Sequence, residues 1–202
     1  MPRGIVRLAA PMSFGVREVA PLLPAFLAAY PEVSIDLHLS DALMDIIGDG
    51  FDMALRIGML PDSSLVARRL APPPGLTVAA PAYLARRGRP SHPADLAGHD
   101  CLAYACLRTR DVWHFRNGVG DEVSVRLPAR LRVNNGDAML PAAIAGLGIA
   151  RVPEFLGREA LADGRLEQIP PDWQALMASL YLLMPPGQLR PARVAGTGGF
   201  PN

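Results

Sequence analysis

The chain has 202 residues, a formal net charge of +1 and a hydrophobic fraction of 50%. A chain of this length forms one large domain or two small lobes and can bury a sizeable core without metals or disulfides. All 20 cationic residues are arginine, which excludes mechanisms that need a Schiff-base lysine or a phosphate-loop lysine. The net charge is near zero and the sequence shows no stripe of basic residues. We therefore expect that this chain alone does not bind DNA.

The cysteine content and the hydropathy pattern bear on the compartment. Cys101 and Cys106 are too few for a disulfide framework and do not have zinc-ligand spacing, which favours a reducing compartment. The longest uninterrupted apolar run, near residues 140–150, is too short to span a membrane. A short N-terminal signal peptide is an alternative, but Pro11 interrupts its apolar segment. These features predict a cytoplasmic protein without a membrane partner.

The first 58 residues alternate between strand patterns and helix patterns. Apolar or alternating segments predict three strands, at residues 5–10, 33–39 and 51–57. Between them, Ser13 is expected to cap a helix that carries apolar residues through Tyr30, with Pro21 and Pro24 kinking it. Asp41 is expected to start a short helix that ends at residue 47. This order is typical of an α/β lobe with a parallel sheet.

The remaining chain continues the α/β pattern. Further strands are predicted at residues 65–70, 76–80, 101–105, 112–116, 123–127, 130–133, 149–152 and 179–183, and helices at 82–87, 138–145 and 154–162. Proline-rich breaks at residues 71–75 and 170–171 enclose the middle of the chain. We therefore predict that residues 1–71 and 172–202 form lobe I, and that residues 72–171 form lobe II, inserted through two crossover segments.

The sequence offers little for catalysis. It has neither a G-x-S-x-G nucleophile elbow nor an H-E-x-x-H motif. His99 and Cys101 could form a crude thiol–base pair, but a buried structural cysteine beside a surface histidine is the favoured interpretation. His38, His92 and His114 lack ligand spacing, and Asp41, Asp45, Asp49 and Asp52 are expected to be caps and solvated groups. We expect no enzyme activity, no metal and no cofactor.

Polar residues follow the predicted strands at the edge where α/β sheets bind ligands. Ser13 and Gly15 follow the first strand, Ser40 and Asp41 the second, and Gly58 the third. In the second lobe, Asn134, Asn135 and Gly136 precede a predicted helix. Helix N-termini present unsatisfied N–H groups to anions, although Ser13 and Asn135 could equally be simple helix caps.

Long segments resemble the effector-binding domain of LysR-type transcriptional regulators. They are APMSFG (10–15), APLLPAFLAAYPEVSIDLHLSD (20–41), GFDMALRIGMLPDSSLVARRLAP (50–72), PAYLARRGRPSHPADLAGHDCLAY (81–104), VNNGDAMLPAAIAGLGIARVPEFL (133–156) and GRLEQIPPDW (164–173). The resemblance covers residues 4–194 and implies a two-lobed, type 2 periplasmic-binding-protein-like fold with a small polar or anionic effector in an interlobe cleft. The candidate effector-binding residues are Ser13, Phe14, Gly15, Ser40, Arg56, Ile57, Gly58, Asn134, Asn135, Gly136 and Pro153.

The resemblance also implies partners. Family members act as homodimers or homotetramers that pair the first helix and second strand with the partner's second lobe, here residues 16–30 and 33–39 against 138–145. They bind DNA through an N-terminal winged helix for which this chain has no room. Residues 195–202 contain three glycines where the family has a helix, so this terminus is expected to fray. A solute-binding protein, or an enzyme on the same fold, is the alternative.

Overall fold

The computed structural model describes residues 2–42, 44–58, 64–105 and 112–186. The chain divides into two compact units: unit 1 comprises Met1–Ala71 and Ser179–Asn202, and unit 2 comprises Pro72–Ala178. The sequence prediction had assigned residues 172–178 to lobe I, and this boundary is wrong. Residues Trp173–Ala175 form a strand that pairs with Asn117 to Phe115 and with Gly75, all in unit 2.

Thirteen strands and five α-helices are assigned in the described residues. The strands are β1 (Gly4–Ala10), β2 (Val33–Leu39), β3 (Met53–Ile57), β4 (Val66–Arg69), β5 (Gly75–Ala79), β6 (Cys101–Tyr104), β7 (Val112–Asn117), β8 (Glu122–Arg126), β9 (Ala129–Val133), β10 (Ile149–Pro153), β11 (Glu167–Gln168), β12 (Trp173–Ala175) and β13 (Leu180–Met184). The α-helices are α1 (Met12–Phe14), α2 (Leu23–Ala29), α3 (Pro81–Arg87), α4 (Gly136–Ile144) and α5 (Glu154–Ala162). Pro93–Gly98 forms a 3-10 helix.

Unit 1 contains a five-stranded sheet in the order β2-β1-β3-β13-β4. β1 is parallel to both β2 and β3, with Val6 opposite Ile35 and Leu8 opposite Met53. β13 returns antiparallel between β3 and β4. The parallel sheet predicted for the first 58 residues is therefore confirmed.

Each face of this sheet has its own apolar cluster. Val6, Leu8 and Val33 alternate with more exposed neighbours and pack with Val19 of the helical segment Met12–Ala29. The second cluster comprises Ala9, Ile46, Phe51, Ala54 and Leu183. The sheet is covered on one face by helix and on the other by the turn region that precedes β3.

The helical segment Met12–Ala29 changes geometry along its length. A π-helical turn, Gly15–Val19, and a 3-10 turn, Ala20–Leu22, separate α1 from α2. Pro21 has no N–H to donate, so a regular α-helical ladder cannot continue through it. The N-cap is Pro11, not Ser13, which lies inside the first turn and is buried. By length and composition alone this segment could cross a membrane, but its inner side chains, including Phe14 and Phe26, pack against the sheet.

The helix predicted from Asp41 to residue 47 is wrong. Residues 46–50 form a turn, and the acidic side chains nearby accept hydrogen bonds from backbone N–H groups. Asp45 accepts from Gly48 at 2.9 Å, and Asp52 accepts from Arg7 at 3.0 Å. Such bonds give the backbone an alternative to the helical ladder. Asp45 thus caps a turn, whereas Asp52 binds the backbone of strand β1.

Unit 2 contains a sheet in the order β8-β7-β12-β5-β10-β6-β9, with β11 also paired to β5. β6 is parallel to both β9 and β10, whereas β5 is antiparallel to β10. The predicted hairpin around Gly118 is confirmed, because β7 and β8 pair antiparallel. The strands β11 and β12 were not predicted. The sequence expectations for Cys106 and for residues 195–202 lie outside the described residues.

Gly75 marks the tightest backbone approach of the second sheet. A Cβ atom there would overlap the carbonyl oxygen of Ala175 and lie 2.6 Å from Met177 Cγ. We expect Gly75→Ala to lower the free energy of unfolding by about 1–3 kcal/mol, the usual cost of overpacking. Urea denaturation measures this change. The control is Gly118→Ala, whose added Cβ meets nothing within 4 Å, and equal stability of the two variants would contradict the strand packing described here.

Candidate functional site

The parallel strands of unit 1 end at one edge of their sheet, and backbone contacts bring the following residues together there. Ser40 N–H donates to the carbonyl of Ala10 at 3.0 Å, which joins the ends of β1 and β2. Met12 N–H donates to Oδ1 of Asp41 at 3.0 Å. The segment that carries Ser13 therefore lies beside Ser40 and Asp41.

Gly15 allows the helical segment to approach this edge closely. A Cβ atom at Gly15 would overlap Leu39 Cδ2 and lie 3.4 Å from Ala10 Cβ. The carboxylate of Asp41 already caps the first amide of α1. This contact was not predicted, and it places a negative charge at the helix start for which the sequence predicted an anion.

Arg56 supplies a positive charge to the same edge. Ala9 lies opposite Ala54, so Arg56 lies in the row just beyond the last residue of β1. It is opposite Tyr181 on β13. Within the described part of the chain, its Nε–H is enclosed and has no hydrogen-bond partner. An enclosed, unsatisfied donor on a cation is well suited to an anionic group.

The other predicted site residues of unit 1 contribute to packing or to the end of a strand. Phe14 packs against the apolar cluster that contains Val6. Ile57 is the last residue of β3, and Gly58 follows it with a φ of 145°, a conformation that favours glycine. The N–H of Gly58 donates to the carbonyl of Ser179 at 3.1 Å. Gly58 therefore ends the strand and ties it to the chain entering β13.

Unit 2 places its predicted residues at the start of α4 and the end of β10. Asn135 is the N-cap of α4, and its Oδ1 accepts from Asp137 N–H at 2.7 Å. The interpretation of Asn135 as a cap is thus confirmed, and Asn134 precedes it on the surface. Pro153 ends β10 and is buried, and Glu154 N–H after it donates to the carbonyl of Pro74 at 2.8 Å.

Tyr104 joins this group and was not predicted. A Cβ atom at Gly136 would overlap both the Tyr104 hydroxyl oxygen and Leu156 Cδ1, so the hydroxyl lies directly against the start of α4. Tyr104 is the last residue of β6. The rule that polar residues at strand ends line ligand sites would have included it, had it been applied to that strand.

The thiol of Cys101 is not available for chemistry. The side chain is fully buried, and its Sγ lies 3.9 Å from the carbonyl oxygen of Leu96. Burial raises the pKa of Cys101 to about 12, with a smaller contribution from Asp100. The neighbouring His99 uses Nδ1 to contact the Tyr83 hydroxyl at 3.2 Å. The buried structural cysteine is therefore confirmed, and no thiol–base pair exists.

We expect Cys101 to resist alkylation while the protein is folded. The raised pKa lowers its thiolate fraction at pH 8 by about a thousandfold relative to an ordinary cysteine, since each pKa unit is a factor of ten. Iodoacetamide labelling followed by mass spectrometry, in a Cys106→Ser background, measures the rate. Labelling should become rapid in 8 M urea. Rapid labelling of the folded chain would instead show an accessible thiol.

In the described part of the chain, no group of three or more His, Cys, Asp or Glu side chains could hold a metal ion. His38 lies on β2 and His114 on β7, which are in different sheets. His92 caps the 3-10 helix Pro93–Gly98 by accepting from Ala94 N–H at 3.1 Å.

Two α/β units with a second unit inserted into the first define a type 2 periplasmic-binding-protein-like fold. The sequence profile described as "LysR substrate binding domain" matches residues 1–196. The chain belongs to this family, whose members are the effector-binding domains of LysR-type transcriptional regulators. The resemblance stated from the sequence motifs is confirmed.

Individual relatives agree with this assignment. An uncharacterized HTH-type transcriptional regulator of Haemophilus influenzae is 32% identical over 198 residues, which cover 96% of this chain and 67% of the relative. The full-length virulence activator AphB of Vibrio cholerae has a TM-score of 0.79 at 30% identity, with coverage of 96% and 66%. The regulatory domain of CrgA from Neisseria meningitidis has a TM-score of 0.77 at 26% identity, with 94% of each chain covered.

The chain spans about two thirds of the length of the full-length regulators that it matches. It covers nearly the whole of the isolated regulatory domain of CrgA. The matched part is therefore the regulatory domain of these proteins.

Proposed function

We propose that this chain senses a small anionic metabolite and relays its binding to DNA-binding domains of the same regulator. The observation that carries the proposal is the family match across residues 1–196. The relatives are named as HTH-type transcriptional regulators, which favours this function over a solute-binding protein or an enzyme of the same fold. A transcriptional role also supports a cytoplasmic location, with DNA contacts made outside these 202 residues.

In this proposal each unit has its own set of candidate effector-binding residues. Unit 1 contributes Arg56 together with Ser13 and Ser40 at the carboxyl edge of its sheet. Unit 2 contributes the start of α4, where Asn134 and the Tyr104 hydroxyl lie. The unsatisfied Nε–H of Arg56 supports a negative group on the effector, because a guanidinium binds carboxylates through paired hydrogen bonds.

Arg56→Met tests the charge preference. The variant keeps the length of the side chain but removes the cation, so we expect a carboxylate effector to bind about 1.5–3 kcal/mol more weakly, the range for hydrogen bonds to charged groups. Isothermal titration calorimetry with effectors found by screening small carboxylates measures the affinity. Arg68→Met is the control, because Arg68 is exposed on β4, which β13 separates from β3, and it lies one row away from Arg56, on the opposite face of the sheet. Equal affinity in both variants would exclude Arg56 from the site.

The relay would operate by population shift. An effector stabilises the arrangement of the domain that binds it more tightly, and it can shift the equilibrium only by its differential affinity for the two arrangements.

We also propose that the domain self-associates through the outer face of its first helical segment. Val16 is 53% exposed and Leu22 is 47% exposed, although both belong to an otherwise apolar stretch. An exposed apolar surface of this kind is typical of protein interfaces. The resemblance pairs this face with residues 138–145 of a second copy.

Charge introduced on this face should prevent association. We expect the double variant Val16→Glu, Leu22→Glu to be monomeric at concentrations at which the wild-type chain is dimeric, because an unpaired carboxylate in an apolar interface is strongly unfavourable. Sedimentation velocity measures the change. Val119→Glu is the matched control, because Val119 is 86% exposed at the tip of the β7–β8 hairpin. A wild-type chain that is monomeric, or a double variant that still dimerises, would contradict this interface.

A further inference from the structure

Arg151 is a buried cation that the proposed effector site does not use. It occupies the middle of β10 and is only 7% exposed. Within the described part of the chain, its side chain forms no ion pair and no hydrogen bond; it lies over an aromatic ring and interacts electrostatically with Tyr104. Burying a guanidinium without a carboxylate is unfavourable, so this position invites an explanation beyond packing.

The neighbouring strand carries a buried polar group without a hydrogen-bond partner in the described residues. Thr77 lies directly opposite Arg151 in the antiparallel β5–β10 pair, and opposite residues project from the same face of a sheet. The Thr77 hydroxyl is fully buried and has no hydrogen-bond partner in the described residues. Arg151 and Thr77 thus project from the same face of the sheet on neighbouring strands.

These two groups face away from the helices that form the proposed effector site. A Cβ atom on Gly157 of α5 would lie 3.1 Å from Leu76 Cδ1 and 3.3 Å from Val152 Cγ2, so Leu76 and Val152 face α5. Side chains alternate along strands, and Thr77 and Arg151 therefore project from the opposite face. The Tyr104 hydroxyl, in contrast, contacts the start of α4.

The ring of Trp113 lies next to the guanidinium of Arg151. Cζ of Arg151 lies 5.4 Å from the centre of the Trp113 ring, which is itself buried. A cation–π contact stabilises the guanidinium through its face, whereas the N–H donors point outward in its plane. Desolvation lowers the pKa of Arg151 to about 10, so the group stays charged at neutral pH.

We propose that Arg151 and Thr77 form a second binding site, specific for a compact oxyanion such as a carboxylate or phosphate group. The guanidinium donates two N–H groups to the anion oxygens, the Thr77 hydroxyl donates a third hydrogen bond, and Trp113 fixes the plane of the guanidinium. The site belongs to unit 2 alone. An anion there neutralises the buried charge and stabilises this unit, so that the local anion concentration adds to the signal of the effector.

The test uses the full chain with sodium formate and sodium phosphate as probes, at constant ionic strength set with sodium chloride. The chain has two tryptophans, and ¹⁵N NMR follows their indole N–H signals, with Trp173→Phe assigning the signal of Trp113. Thermal unfolding in the same titrations gives Tm, which rises when a ligand binds only the folded state. Comparing formate with phosphate shows which oxyanion the site prefers.

We expect a saturable shift of the Trp113 signal and a saturable rise in Tm with at least one probe. Thr77→Val and Arg151→Met should each weaken binding about tenfold or more, as expected for the loss of a hydrogen bond to a charged group. Arg126→Met removes an exposed arginine from β8 and should keep the wild-type affinity. Arg56→Met should also keep it, which separates this site from the proposed effector site.

Two results would overturn the proposal. One is the absence of a saturable response to both probes, and the other is a response that persists unchanged in Thr77→Val. A general effect of salt raises the Tm of the wild-type chain and of every variant equally. Binding is therefore measured as the rise in Tm of the wild-type chain minus the rise in Tm of the variant. If Arg151→Met fails to fold, the isosteric Thr77→Val decides the outcome, because it leaves the buried arginine in place.

Discussion

The parallel pairing of neighbouring strands is the constraint on which the rest of the structure depends. β1 pairs in parallel with both β2 and β3 in unit 1, and β6 does so with β9 and β10 in unit 2. Parallel strands end at the same edge, so residues far apart in sequence, such as Ser13 and Arg56, reach one side of a sheet. A register slip of one residue would move both the apolar face and this polar edge. The fold and the placement of the candidate site therefore rely on the same backbone hydrogen bonds.

The sequence could predict those elements whose local pattern agrees with their surroundings. β2 alternates Val33, Ile35 and Leu37 with polar residues because one face packs against the helical segment, and that alternation is visible without a structure. The N-cap of α4, Asn135, could also be predicted from the sequence, because asparagine is a favoured residue at a helix start. The strand ends then followed from topology, and with them most of the candidate site.

The errors lie where a distant partner decides the local structure. Asp41 carries a capping signal, but its carboxylate accepts from Met12 on another element instead of starting a helix of its own. Residues 173–175 follow two prolines and were assigned to lobe I without a strand, yet they form β12 between β7 and β5. Tyr104 was missed because its contact with Gly136 spans two elements. Single-sequence patterns contain no information on such pairings.

Arg56 and Arg151 lie in different surroundings, and the chain has no lysine that could take either place. Arg56 lies at a strand end, where only its Nε–H is enclosed, so it can exchange water for a ligand at small cost. Arg151 lies in mid-strand with its charge desolvated, so it gains far more from an anion than a surface group would. A planar guanidinium can serve in both places because its face can contact a ring such as that of Trp113, 5.4 Å from Cζ, while its N–H donors lie in its plane. A lysine ammonium would bind the ring or the anion as a point charge and would lack the fixed plane that orients an oxyanion.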